Sequence, residues 1–141
     1  MSSRETLTLA ARALEAFNRA DWDEFRDLSH DDVVYVESGT GRRIEGIEAY
    51  LEALREWKVA LPDVHGTIRR AVGDGDVAAQ DILWRGTHQG DFPTPSGPVL
   101  ASGVEVVLDL GDAAVVRGRP ERAGEHRLDV LGLLAQIGAL G

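Results

Sequence analysis

The chain of 141 residues contains no cysteine, which excludes disulfide bonds and thiolate metal sites. It also lacks a long hydrophobic run. Charged side chains, among them Arg4, Glu5 and Arg12, interrupt the first twenty residues, so we expect no signal peptide. No apolar stretch is long enough for a membrane-spanning helix. A soluble, cytoplasmic protein is therefore expected.

Basic residues are outnumbered by acidic ones. The sequence has 15 lysines and arginines against 24 aspartates and glutamates, a formal net charge of −9. An acidic surface repels phosphate groups and therefore disfavours nucleic acid and anionic membranes as partners. The histidines His30, His65 and His126 lie far apart and show no metal-ligand spacing, so we expect no zinc site.

Apolar residues at helical spacing mark the first half of the chain. Ser2 and Glu5 have the spacing of a capping box, which predicts a first helix over about residues 4–19. Asp21 begins a second cap signature and predicts a short helix after it. A third helix is predicted over about residues 47–60.

Segments that favour strands dominate the second half, separated by turns rich in glycine and proline. The predicted strands, one of them between the second and third helices, cover about residues 33–36, 64–72, 77–89, 99–110, 113–116 and 125–129. Gly111 and Asp112 are predicted to form a turn, and Gly118–Gly124 is predicted to interrupt the sheet. Residues 131–137 have the spacing of a closing helix.

The order of these elements indicates an α+β fold class. It favours a curved antiparallel sheet forming a cone, an α+β barrel covered by the N-terminal helices, with a short C-terminal helix. Hydrophobic residues make up 43% of the chain, enough for one core, and residues 1–141 are interpreted as one domain. Such a cone can enclose an apolar pocket for one small ligand.

Several short motifs follow one another along the chain. They are Asn18-Arg19-Ala20-Asp21-Trp22-Asp23, Gly46-Ile47-Glu48-Ala49-Tyr50, Leu61-Pro62-Asp63, Gly75-Asp76-Val77-Ala78, Gly86-Thr87-His88-Gln89-Gly90, Pro93-Thr94-Pro95-Ser96-Gly97, and Asp129 followed by Leu131-Gly132-Leu133-Leu134-x-Gln136-Ile137-Gly138. This ordered set resembles the SnoaL-like polyketide cyclases of the nuclear transport factor 2-like superfamily.

The resemblance implies a function as well as a fold. Characterised cyclases close a ring of an aromatic polyketide precursor by intramolecular aldol condensation, without a metal or organic cofactor. An aspartate at the end of the last strand serves as acid/base, and Asp129 matches that position. The resemblance also implies a small apolar or aromatic ligand and a homodimer or higher homo-oligomer.

The surroundings of Asp129 suit this chemistry. An aldol closure needs a proton taken from a carbon beside one carbonyl and a proton given to the oxygen of another. Apolar neighbours such as Val130 and Leu131 would raise the pKa of the Asp129 carboxyl towards neutrality. The alternative is that Asp129 only caps the closing helix.

Strand alternation puts Glu125, Arg127 and Asp129 on one face. If that face is the pocket, Arg127 would hold Asp129 ionised and could bind an enolate, which makes Arg127 a candidate substrate-binding residue. The pair is also similar to the Arg/Asp constellation of the epoxide hydrolases of this superfamily, which need a second aspartate. The alternative is an ion pair at a dimer surface.

Four further side chains are candidates for the pocket. His88, on one strand face with Trp84, is a candidate catalytic residue or a strand-end histidine bonded to backbone. Trp84 is a candidate for the pocket wall. Tyr35 and Trp57 are candidates for substrate binding or for the core, and Glu37 is expected to face solvent.

Three functions remain open from the sequence. The first is a cofactor-independent cyclase that uses Asp129 as acid/base. The second is a binding protein that holds a small apolar ligand without chemistry. The third is an epoxide hydrolase that uses Arg127 and Asp129. Fold alone does not choose among them.

Overall fold

A computed structural model describes residues 2–38, 41–93, 97–117 and 122–129, and for Ser38, Arg117 and Asp129 it describes the backbone only. The described elements run in the order α1 (Ser3–Asn18), α2 (Trp22–Asp27), β1 (Ser29–Ser38), β2 (Arg43–Glu45), α3 (Ile47–Ala60), β3 (His65–Asp74), β4 (Val77–Thr87), β5 (Glu105–Arg117) and β6 (Arg122–Asp129). The predicted closing helix over residues 131–137 lies outside the described residues.

The helices begin where their caps predict. The Ser2 side chain accepts a hydrogen bond from the Glu5 backbone N–H at 3.1 Å, and the Glu5 side chain accepts one from the Ser2 backbone at 3.4 Å. This reciprocal pair satisfies two backbone donors at the start of α1. Asp21 caps α2 by accepting from the Glu24 backbone N–H at 3.1 Å. The three predicted helices of the first half are confirmed.

Six strands form one curved, open sheet in the order β2-β1-β6-β5-β4-β3. The α+β fold class is confirmed. The expectation of a wholly antiparallel sheet is wrong at one pair, since β1 and β6 run parallel. Parallel neighbours need a long crossover between them, and here α3 and the strands β2 to β5 supply it. Strand β2 escaped prediction because three residues are too short to show a period.

Strand β5 passes straight through the predicted turn at Gly111 and Asp112. It pairs with β4 without a break from Val77 opposite Val115 to Thr87 opposite Glu105. This continuous ladder holds the Gly-Asp pair extended, because Gly111 pairs with Asp81 and Asp112 pairs with Gln80. Strand β6 begins at Arg122, which pairs with Arg117, so part of the predicted interruption belongs to β6.

The helices cover one face of the sheet, called the inner face below. On β4 the buried residues alternate at Ala78, Gln80 and Ile82, which is the pattern of a strand with one face packed and one exposed. The inner face of β1, from Val33 to Glu37, packs under α3. None of the described helices is long and apolar enough to cross a membrane.

Candidate functional site

A cavity lies between the helices and the inner face of the sheet. The cavity has a volume of about 90 Å³. Most of the lining is apolar, and it includes Phe17, Leu54, Trp57, Trp84, Val106 and Leu108. A largely apolar cavity with a few polar groups is typical of a small-molecule site.

Aromatic side chains form the walls of the cavity. Tyr35 stacks on Tyr50 with ring centroids 4.7 Å apart, and Trp57 lies against Phe92 at 4.4 Å. Tyr35, Trp57 and Trp84 all belong to the lining, as the sequence suggested for candidate ligand contacts. Flat, rigid rings of this kind fit a planar aromatic ligand, because stacked and edge-to-face contacts favour aromatic partners.

Gly66 leaves room for the Trp84 side chain, because it has no Cβ. Gly66 lies opposite Trp84 in the β3–β4 ladder, and a Cβ on Gly66 would lie 2.8 Å from the indole ring. The side chain of Asn18 donates to the Gly66 carbonyl and accepts from its N–H, both at 2.9 Å. The end of α1 thereby fixes the strand that supports the Trp84 wall.

Glu37 is a buried carboxylate and not the solvent-facing residue that was expected. Its side chain is 1% exposed, because β1 turns it to the inner face beneath α3. The Tyr35 hydroxyl donates to Glu37 Oε1 at 2.9 Å, and Arg42 Nη1 lies 3.8 Å from the same oxygen. Burial, and then the Glu37 charge, raise the pKa of Tyr35, so its hydroxyl stays protonated.

Asp112 is the functional candidate that sequence reasoning missed. It lies on the inner face of β5, partly buried, and lines the cavity. Burial raises the pKa of Asp112 to about 7, although a hydrogen bond from the Ala113 backbone acts in the opposite direction. Reading Gly111 and Asp112 as a turn hid it. The alternation Val106, Leu108, Leu110, Asp112 would have placed a carboxylate on the inner face.

His126 is the second missed residue. Its ring is buried, 5.6 Å from the Tyr50 ring and 5.9 Å from the Phe25 ring. Among the described residues, its Nε2 has no hydrogen-bond partner. Burial lowers the pKa of His126 to about 4, so the imidazole is neutral at pH 7.

Arg127 lies on the other face of β6. Since His126 and Leu128 line the cavity, strand alternation turns Arg127 outward, where its Nη2 lies 2.8 Å from Glu125 Oε1. The expectation that Arg127 faces the pocket is wrong. The register of β6 places His126 and Leu128 on the inner face, and Arg127 would need a shift of one residue to lie there. Asp129 ends β6 with its backbone opposite Ser38, and its side chain lies outside the described part of the chain.

His88 is buried but does not belong to the cavity lining. Its Nδ1 lies 2.8 Å from Ser102 Oγ and accepts from the Ser102 backbone N–H at 3.3 Å. Its backbone N–H donates to the Val104 carbonyl at 2.9 Å. An accepting Nδ1 places the ring proton on Nε2. His88 thus joins the end of β4 to the segment that leads into β5.

Metal ligands do not gather in the part of the chain that is described, where no group of three or more His, Asp or Glu side chains could hold an ion.

The family described as SnoaL-like polyketide cyclase matches residues 8–137. The chain belongs to the SnoaL-like polyketide cyclase family. The resemblance seen in its motifs is therefore confirmed. No curated protein matches the sequence.

Solved structures share the fold of this SnoaL-like chain. IdmH from Streptomyces antibioticus, a proposed polyketide cyclase, is 27% identical, with a TM-score of 0.74 over 94% of this chain and 98% of its own. AclR from Streptomyces galilaeus, a proposed hydroxylase, is 22% identical, with a TM-score of 0.77 over 99% of this chain and 100% of its own. A proposed ketosteroid isomerase from Kribbella flavida is 21% identical, with a TM-score of 0.64 over 90% of this chain and 78% of its own.

Proposed function

We propose that this SnoaL-like protein is a cofactor-independent enzyme that closes a ring of an aromatic polyketide precursor by an intramolecular aldol-type reaction. The observation that carries the proposal is the cavity itself. It is lined by aromatic rings, with Tyr35 stacked on Tyr50, and its polar groups are few. IdmH, a structural neighbour at 27% identity, is itself a proposed polyketide cyclase.

The reaction needs one proton acceptor and a site that holds the substrate in a folded conformation. A carboxylate takes a proton from a carbon between two carbonyl groups, and the electron pair of that C–H bond becomes an enolate. The enolate carbon attacks a second carbonyl carbon of the same molecule, which forms the new C–C bond. The attacked oxygen then takes the proton, so substrate and product are isomers.

Much of the rate acceleration beyond proton transfer would come from holding the substrate in a reactive conformation. A flexible polyketide chain must be folded so that the two reacting carbons approach each other, and the rigid walls at Tyr35, Trp57 and Trp84 would select such a conformation. The carbon acid of a β-dicarbonyl group is already activated, so one base is enough. The family resemblance assigns that base to Asp129.

A synthetic substrate tests the proposal. We would incubate the protein with an anthraquinone that carries a β-keto ester side chain and follow ring closure by liquid chromatography and mass spectrometry. The expected product has the mass of the substrate, or that mass less one water, and a new retention time. Binding without ring closure, together with no exchange of the α-protons in D₂O, would contradict catalysis.

The second candidate is a binding protein that holds a small apolar ligand. The apolar character of the lining favours it, because such a lining binds apolar ligands with or without a catalytic group. Exchange of substrate α-protons separates the two candidates, since a binding protein would not accelerate it. The epoxide hydrolase alternative requires Arg127 in the cavity, but Arg127 pairs with Glu125 outside it.

A further inference from the structure

We infer that Asp112 and His126 form an oxyanion-binding site in the cavity, where both side chains donate hydrogen bonds to the substrate oxygen that gains negative charge. This inference rests on the proposed cyclase function and deepens it. Removal of an α-proton leaves an enolate, and the enolate oxygen needs hydrogen-bond donors as its carbon needed a base. Asp129 keeps the acid/base role that the family resemblance assigns to it.

The β5–β6 register brings the two side chains to one part of the cavity. Asp112 lies opposite Leu128, and His126 lies opposite Ala114. Asp112 and His126 are therefore diagonal neighbours on the inner face, for which Cα atoms are typically about 7–8 Å apart. Both residues line the cavity. An oxygen atom placed between them can accept a hydrogen bond from each.

His126 has a buried nitrogen that needs a hydrogen-bond partner. Its ring packs near the rings of Phe25 and Tyr50, and its Nε2 has no partner among the described residues. Buried polar atoms are usually paired, so the natural partner of such an atom on a cavity wall is a ligand. Burial lowers the pKa of His126 to about 4, so the neutral imidazole carries one N–H at pH 7. With that proton on Nε2, the ring donates to a ligand oxygen.

Uncharged groups surround Asp112 on the neighbouring elements. Strand β4 contributes Gln80 directly opposite, whose Nε2 also has no hydrogen-bond partner among the described residues. Helix α3 contributes Tyr50, whose pKa is raised by burial and then by the charges of Asp112 and Glu37. Helix α1 contributes apolar lining such as Ala13. None of these elements supplies a positive charge to the Asp112 carboxyl.

The arginines on this side of the molecule pair with other carboxylates. Arg85 lines the cavity but lies 3.9 Å from Glu105, and Arg42 lies 3.8 Å from Glu37 on the inner face of β1. Burial therefore acts on Asp112 without a compensating cation, and it raises the pKa of this carboxyl to about 7. Below that value Asp112 is a carboxylic acid with an O–H to donate.

Neutral donors suit an oxygen whose charge changes during the reaction. A hydrogen bond to an ionised acceptor is roughly twice as strong as one between neutral groups. Asp112 and His126 therefore bind the enolate more tightly than the ketone from which Asp129 forms it. Because this stabilisation is realised mainly as the charge develops, it lowers the barrier to proton removal.

A planar aromatic oxyanion tests the site without any turnover. The probe is 2,4-dinitrophenolate, which stays ionised from pH 6 to pH 8.5, and isothermal titration calorimetry measures its binding. The wild type is expected to bind the probe on the order of tenfold more weakly at pH 8.5, because Asp112 loses its proton and then repels the anion. The control is 1,3-dinitrobenzene, the same ring without the oxyanion, which should bind equally at both pH values.

Four variants separate the two donors from the rest of the cavity. Asp112→Asn keeps a donor but cannot ionise, so its affinity for the probe is expected to be independent of pH. Asp112→Leu and His126→Phe each remove one donor and are expected to bind on the order of tenfold more weakly than the wild type at pH 6. Asp109→Asn makes the matched change on the outer face of β5, where Asp109 pairs with Arg69, and should retain the wild-type pH dependence.

Exchange of α-protons relates the site to the reaction. With ethyl benzoylacetate as carbon acid in D₂O, NMR measures the catalysed exchange. Asp112→Leu and His126→Phe are each expected to slow it on the order of 10²-fold, as loss of one oxyanion donor does. Asp112→Asn should retain the rate within about tenfold, because its amide still donates. Asp129→Asn removes the base and is expected to lose roughly 10²–10⁴-fold.

Two results would overturn the inference, provided that circular dichroism shows each variant to be folded. One is wild-type affinity for 2,4-dinitrophenolate that does not change with pH. The other is unchanged affinity at pH 6 in both Asp112→Leu and His126→Phe. Either result would leave the cyclase function standing if the wild type accelerates exchange. Absence of exchange in the wild type would instead contradict the cyclase function, and the expected binding pattern would still support an oxyanion-binding site.

Discussion

The two faces of the sheet place titratable side chains in different surroundings. On the outer face, Arg69 and Asp109 lie 3.0 Å apart with both side chains about half exposed, and Arg127 pairs with Glu125. On the inner face, Asp112 and His126 lie among apolar and aromatic groups. Solvent and a partner compensate the charges of these outer pairs, whereas burial acts on Asp112 and His126.

The difference shows that surroundings, more than residue type, assign chemistry on this sheet. An exposed ion pair contributes little to stability and leaves its members without a special reactivity. A buried carboxyl or imidazole shifts its pKa because the charged form loses its hydration. The face on which a strand places a residue therefore decides whether that residue can act as an acid or a base.

The aromatic wall of the cavity should be the most sensitive to truncation. Trp57 is buried and lies against Phe92 at 4.4 Å. We expect Trp57→Ala to lower the free energy of unfolding by about 3–5 kcal/mol, because it removes a large buried side chain and leaves a void. Urea denaturation measures the change. Trp57→Phe is the control and should cost clearly less; equal losses would argue against a packed wall.

The charge state of Asp112 should make stability depend on pH. Its pKa rises from 3.8 in the unfolded chain to about 7 in the fold, so the folded state holds the extra proton between these values and loses stability as pH rises through them. The full effect would be about 4 kcal/mol. We expect Asp112→Asn to gain stability relative to the wild type as pH rises from 4 to 8. Thermal unfolding at several pH values measures this gain, and a constant difference would contradict it.

The hydroxyl of Tyr35 should have a smaller effect. Tyr35→Phe takes one donor from the buried Glu37 carboxylate, so we expect a loss of about 1–3 kcal/mol in the free energy of unfolding. Chemical denaturation at pH 7 provides the measurement. A double variant with Glu37→Gln should show coupling between the two positions, and strictly additive losses would mean that this hydrogen bond contributes nothing.

A substitution on the outer face should change the free energy of unfolding least. Arg127→Ala removes an exposed partner of Glu125, and we expect the free energy of unfolding to change by less than about 0.5 kcal/mol. The α-proton exchange rate should also remain unchanged, since Arg127 lies outside the cavity. A tenfold loss of exchange in this variant would place Arg127 in the site after all and remove the contrast between the faces.

Local signals in the sequence predicted the helices well. The caps at Ser2 and Asp21 and the apolar spacing that follows each of them are short-range features, and the structure confirms both. The α+β class followed from the order of helices and strands. The parallel pairing of β1 with β6 could not be read, because it joins strands from opposite ends of the chain.

The candidate site was harder to predict because it depends on strand register. A shift of one residue exchanges the faces of a strand. Reading Gly111 and Asp112 as a turn removed Asp112 from the sheet, and placing Arg127 in the pocket put His126 outside it. The sequence left Tyr35 and Trp57 open between pocket and core and gave Trp84 as a candidate for the pocket wall. All three line the cavity, since bulky rings on elements that cover a small sheet are buried in most registers.

The most direct test of the contrast between the faces is an NMR titration of the Asp112 carboxyl carbon and the His126 imidazole in the wild-type protein. We expect Asp112 to titrate with a midpoint near 7 and His126 with a midpoint near 4. Midpoints near the ordinary values of 3.8 and 6.5 would show that both groups are hydrated, and would contradict an oxyanion-binding site on the inner face.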